Sequence, residues 1–334
     1  MAVNLHLMLQ EPRFTRAIMQ SGQAHLIGPK TIEFHEKMYA MVLETLNLDK
    51  VSKSARAEEL RTMPIDKIMA VPPPEVMYQP CADGVLWKEI PYWDKLADPT
   101  WMVDKPDFLE AVMFGDCKDD VSHPSKRSYQ QGSIDLLFID THEDPCGDFT
   151  KVANKYLSEK DAKHLLSTYD IPASSKDTTP IWQLCSDYAY NLPVIRAAAA
   201  WPRPDKTFVY HFERGNTFHD GPPLRGLCTH MLDASFHFLN LNHSLSAADQ
   251  KLATEMAERW IAFANGEDPW TPHGKAKNSM CITDDGEFIV RTEAEDRKRG
   301  ERRWSKWDIV LDIGVEKIWK IISVYHAKFD MDER

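Results

Sequence analysis

Apolar positions along the chain switch between two periods. "RAIMQSG" (Arg16 to Gly22) is a short apolar run closed by Ser-Gly, and two further runs read as buried strands: Ala111 to Phe114 within "EAVMFGDCKDD", ended by Gly115, and Phe208 to Phe212 within "KTFVYHFE". Between them lie stretches of helical spacing. In "IEFHEKMYAMVLETLNL", Phe34, Met38, Met41, Val42 and Leu46 share one face and Glu33 and Lys37 stand four apart on the other. "ARAEELRTMPIDKIMAV" reads as two short helices broken at Pro64, because proline lacks the N–H that a helix interior needs. Helices with polar connections fill Lys151 to Pro202, one of them opened by Pro180, and "AADQKLATEMAERWIAFANG" ends at Gly266 as a helix C-terminus should. Strands alternating with helices predict an α/β fold.

Composition removes whole classes of function. With 334 residues, 43% hydrophobic and 27% charged, the chain can bury a large core. Its formal net charge of −11 argues against a nucleic-acid partner, which needs a basic surface to displace counterions. The one basic cluster, Arg297 to Arg303 with Lys306, is interleaved with acidic residues and reads as a solvated helix face. No apolar run reaches the ~18 residues of a membrane span. The start "MAVNLHLMLQEP" lacks the basic region and cleavage site of a signal peptide. The six cysteines stand far apart without a C-x-x-C pair and leave the compartment open. Scattered metal-type ligands in "HEDPC" and "THMLDASFH" do not form H-E-x-x-H, so a metal hydrolase is a distant reading and no cofactor is implied.

Four segments, in order and spacing, carry a resemblance. "RFTRAIMQSGQ", "VMFGDCKDDV", "GLCTHMLDASFHF" and "RWIAFANGEDPW" resemble the type-B carboxylesterases, the carboxylesterase/lipase/cholinesterase group of α/β-hydrolases, in wording nearest to fungal members. The resemblance is clearest over residues 1–270 and implies one partial α/β-hydrolase domain over 1–334, with 271–334 as its C-terminal strand and helix extension. It implies a mostly parallel sheet flanked by helices and a small carboxylic ester as the partner of the full-length protein.

The resemblance also bears on the chain start, where "VNLHL" has helical spacing but no capping residue before it. A similar segment in the family lies on the helix behind the nucleophile elbow, a strained strand-to-helix turn carrying the serine. That register places the serine about four positions before Met1. The expectation is a C-terminal portion of a serine esterase, inactive alone because the serine and the oxyanion donors lie upstream, with an unpaired sheet edge where upstream strands would pair. The alternative is a non-catalytic binding or interaction protein of the same family.

The chain order Ser, acid, His implies Asp120 as the acid and His230 as the base. Asp120 departs from the family's usual Glu, and a carboxylate one methylene shorter requires a closer histidine. Asp119 is the neighbouring alternative for the acid; His211, His219 and His237 are the alternatives for the base. Gly115 is expected to turn the chain sharply before the acid. Ser21 in "MQSGQ" has residues too large around it for an elbow and is implied to hydrogen-bond Asp120 from behind, beside a plain structural reading.

Overall fold

The computed structural model describes residues 3, 6, 13–23, 29–69, 71, 80–85, 108–121, 142–218, 225–299 and 302–325. The loop at "PPPEV", His219 and the capping of the chain start lie outside the described residues. Two compact units are present, residues 27–92 and the remainder.

The larger unit is built on a five-stranded sheet in the order β1 (Arg16–Gln20), β2 (Ala111–Cys117), β3 (Thr207–Phe212), β4 (Ser279–Ile282), β5 (Phe288–Arg291). Strands β1 to β4 pair in parallel, and β5 closes the edge antiparallel to β4. Every residue of β2 and β3 is buried. That explains their unbroken apolar runs: a parallel strand covered by helices on both faces has no solvent side on which to place polar residues.

Alternation along each strand divides the core in two. Met19, Val112, Phe114 and Val209 point to one face, where they meet Phe149, Leu165, Leu184, Val194, Trp307 and Ile318. In the smaller unit, α1 (Ile32–Thr45), α2 (Lys53–Thr62) and α3 (Ile65–Met69) fall where the helical spacing placed them, with the break at Pro64. The buried residues of α1 are Met38 and Leu43, while Met41 is exposed, so the apolar stripe runs one position round from the expected one. The helices on the first face of the sheet are α4 (Pro145–Tyr156), α5 (Glu159–Thr168), α6 (Thr179–Ser186) and α7 (Leu192–Ala200), joined later by α11 and α12. On the opposite face Ala111, Met113, Phe208, Tyr210 and Phe212 pack against α8 (Leu232–His237) and α9 (Ala247–Ala264) through Phe236, Met256, Trp260 and Phe263. The last described helices are α10 (Glu293–Arg299), α11 (Trp304–Ile313) and α12 (Val315–Tyr325).

Two expectations change. Gly115 does not end its strand, since β2 runs on to Cys117. A side chain there would collide with the Tyr210 ring of β3, which crosses directly over it, so this glycine serves close strand-to-ring packing and the sharp turn comes later, at 118–121. The basic cluster is not one solvated face either. Arg297 does pair with Glu293 and Asp308 near the surface, but Arg302 and Arg303 turn inward. Arg302 is buried against Asp116, Asp296 and Ser279.

Candidate active site

Parallel strands deliver their C-terminal ends to one edge, the usual place for a site in an open α/β sheet. Beyond β2 the chain makes a tight turn, 118–121, that carries Asp120. Lys118 N–H donates to Phe212 O at 2.9 Å, and Asp119 N–H donates to Cys228 O at 2.9 Å. The turn is therefore stitched both to the end of β3 and to the loop before α8. Cys228 also donates its thiol to Phe212 O at 2.9 Å. Two residues after Cys228 comes His230, and Met231 follows in the left-handed conformation at φ 64°, an unusual geometry for a residue with a side chain.

The result is a direct pairing. His230 Nδ1 lies 3.0 Å from Asp120 Oδ1, and Asp120 Oδ2 accepts the Cys117 N–H at 3.0 Å. Burial pushes the Asp120 carboxyl up, against the opposing pull of His230. For His230 burial works against the charged ring, but the hydrogen bond and charge of Asp120 outweigh it and raise its pKa. With Asp120 ionised, Nδ1 must carry the proton, which leaves the Nε2 lone pair free on a side chain that is 27% exposed. Such an imidazole can take a proton from a hydroxyl and hold the resulting charge against the carboxylate.

The alternatives separate cleanly. Asp119 faces Arg303 at 3.8 Å. His211 pairs with Asp116 at 2.5 Å on neighbouring strands, and His237 bonds Asp233 O at 3.0 Å within its own helix. The shorter acid reaches its histidine because the Asp119 to Cys228 backbone bond draws the two loops together.

Ser21 makes no side-chain hydrogen bond to Asp120. It is buried at φ 43°, its N–H donates to Gly115 O, and its Oγ has no hydrogen-bond partner among the described residues. The register explains this. Gln20 stands opposite Gly115, so Ser21 ends beside the strand, while the 118–121 turn carries Asp120 over to the β3 side. Gln20, one residue earlier, instead donates to Asp233 Oδ2 at 3.1 Å, where the buried Tyr210 hydroxyl also donates at 2.5 Å.

Residues that the sequence did not single out surround the pair. A π-helical turn, Asp187–Asn191, lies between α6 and α7. Its Tyr190 ring sits 4.8 Å from the His230 ring at 44°. Asn191 donates to Cys117 O at 2.9 Å, and Ser186 accepts the Val121 N–H at 2.6 Å. Arg303 donates to Asp187 at 2.8 Å and to Lys118 O at 2.9 Å. No local pattern marks these residues, because what distinguishes them is the turn they converge on. Among the described residues no group of three or more His, Cys, Asp or Glu side chains converges as metal ligands would, and no helix is long and apolar enough to cross a membrane. All six cysteines are free thiols.

The fold is shared with known esterases. Among solved structures, a PNB esterase superposes with a TM-score of 0.57 at 17% identity, covering 90% of this chain and 60% of its own. A Geobacillus stearothermophilus carboxylesterase does so with a TM-score of 0.57 at 20% identity, covering 90% and 61%. At these identities the likeness shows a shared α/β-hydrolase fold, and the chain spans about three-fifths of the length of each structure. No curated protein sequence matches. The profile of the carboxylesterase family matches residues 1–306, which include the sheet, the acid turn and the histidine loop, and the chain belongs to that family.

Proposed function

We propose that this chain is the C-terminal portion of a carboxylic-ester hydrolase in which Asp120 and His230 serve as acid and base of an acyl-enzyme mechanism. The observation that carries this reading is the Asp120–His230 hydrogen bond at the C-terminal edge of the sheet, with Nε2 left free. In the mechanism, Nε2 takes the proton of a serine hydroxyl as the oxygen attacks the ester carbonyl. Asp120 holds the Nδ1–H tautomer and offsets the imidazolium charge, and the proton then passes to the departing alcohol. Water repeats the cycle on the acyl-serine, releasing the acid and restoring the serine. The serine and the oxyanion donors are assigned to a segment preceding Met1, on the strength of the family register, and the substrate class is a small carboxylic ester.

The test compares two proteins. The 334-residue chain is expected to show no turnover of short acyl esters above a heat-killed control. The same chain preceded by its own upstream coding segment, or by that of a near relative, is expected to hydrolyse them and to be blocked by a serine-directed phosphonate. Phosphonate-sensitive turnover by the 334-residue chain would refute the placement of the serine. A folded, extended chain without turnover would favour the binding-protein alternative.

A further inference from the structure

The acid stands on a turn too short to hold its own shape. From Cys117 to Val121, five backbone groups are bonded from outside the turn. Two of the bonds come from β3 and the histidine loop, as described above. The other three come from one place: Asn191 on Cys117 O at 2.9 Å, Arg303 on Lys118 O at 2.9 Å, and Ser186 on the Val121 N–H at 2.6 Å.

Arg303 is the centre of that group. Its Nε donates to both oxygens of Asp187, at 2.8 and 3.1 Å, and its Nη2 reaches Lys118 O and Asn191 Oδ1, the latter at 3.3 Å. Asp187 is fully buried and also accepts the Tyr169 hydroxyl at 2.9 Å. A buried ion pair of this kind contributes little net stability relative to an apolar pair of the same volume. The planar guanidinium fork does fix the directions of several partners at once, which a lysine cannot. The π-helical turn supplies the matching half. Wide turns of this type are rare overall and frequent at functional sites. This one sends Asp187 to Arg303, Asn191 to Cys117 O and the Tyr190 ring against His230. One rigid group thus contacts the acid's turn and the face of the base.

We propose that Arg303, together with Asn191 and the π-helical turn 187–191, is a positioning residue that holds the Asp120–His230 pair in register. The proposal rests on the acid and base roles argued above, but its test does not depend on turnover.

The experiment is histidine-selective 15N NMR of the full 334-residue chain. It follows the downfield His230 Nδ1–H resonance and the His230 titration midpoint. The test variant is Arg303→Met combined with Asp187→Asn, which removes both charges and keeps an acceptor for Tyr169. Asp120 and Asp233, the carboxylates that raise the His230 pKa, are untouched. The expected result is loss of the Nδ1–H resonance to solvent exchange and a fall of the midpoint to about 6.5 or below. Arg297→Met, on the same segment but near the surface, should leave both signals in place. Unchanged signals in a folded double variant, with only a lower melting temperature, would overturn the proposal and leave Arg303 a stabilising residue. If the double variant does not fold, Asn191→Ala carries the same expectation and the same overturning result. Loss of the resonance with undiminished turnover in the serine-bearing protein would uphold the positioning role and sink the catalytic reading instead.

Discussion

His230 Nδ1 meets Asp120 Oδ1 at 3.0 Å across a separation of 110 residues, whereas Asp119, beside the acid in sequence, turns away to Arg303. One residue of offset therefore separates the carboxylate that meets His230 from one that faces an arginine. In the serine-bearing protein, Asp120→Asn is expected to lower kcat by about 10⁴, because it upsets the imidazole tautomer and leaves the imidazolium unsupported. Asp119→Asn should change kcat by less than about threefold, since the Asp119 bond to Cys228 is made by its backbone N–H. The reverse ranking would move the acid by one residue.

Truncating the base tests the pair from the other side. His230→Ala should cost about 10⁴ to 10⁶ in kcat with KM little changed, because it removes the group proposed to take the serine proton. His211→Gln serves as the contrast. Its ring is committed to Asp116 inside the sheet, so the variant should lose stability and not kcat per folded molecule. Steady-state kinetics alongside a thermal melt separate the two outcomes.

The raised pKa of His230 has a definite sign. Its folded value lies above the unfolded one, so the contribution of His230 to stability is full below about pH 6.5 while Asp120 stays ionised, and is lost as pH rises through the folded His230 pKa. Activity needs the neutral ring and should fall on the acid side with a midpoint above about 6.5. Asp120→Asn removes the opposing charge and leaves burial, which works against the charged ring, so its midpoint should drop below that of the native protein. An NMR titration of His230 in both proteins checks the direction. An upward shift in the variant would show that Asp120 is not the group that raises it.

Packing beside the site gives a stability prediction. Gly115→Ala drives a methyl group into the Tyr210 ring, which cannot retreat because its hydroxyl is bonded to Asp233 and Trp260 packs on it with centroids 4.9 Å apart. The expected loss is about 3 kcal/mol, at the upper end for overpacking. Adding Tyr210→Leu should recover part of it, seen as positive coupling in a denaturant double-mutant cycle. Additive losses would mean that the ring is not what excludes the methyl.

Phe208 lies fully buried on the α8 and α9 face, edge-on to Phe263 and Trp270. Phe208→Ala should cost about 3–5 kcal/mol, read as a lower denaturant midpoint with an unchanged slope. A loss under about 1 kcal/mol would mean that this face of the sheet is not a packed core.

Much of the framework follows from local pattern alone. Strands β2 and β3 are legible because burial on both faces forces unbroken apolar runs, and α1 and α9 because one-sided burial forces helical spacing. The Asp120–His230 pairing is legible through family wording, which is itself local: a few residues around Asp120 and a few around His230. What no local pattern contains is the company those residues keep. Arg302 and Arg303 sit in a run of mixed charges that reads as a solvated face, and only the fold shows that Asp116 and Asp187 wait behind them. Gly115 reads as a turn residue until Tyr210 is found crossing it from the next strand. Ser21 reads as either a partner of Asp120 or a structural residue until the fold leaves its Oγ without a hydrogen-bond partner among the described residues. The physical reason is common to all three cases. Secondary structure is set by short-range sterics and by which face is buried, so it can be read within a window of the chain. Ion pairs, ring contacts and hydrogen bonds across 100 or more residues exist only after the sheet has brought those windows together.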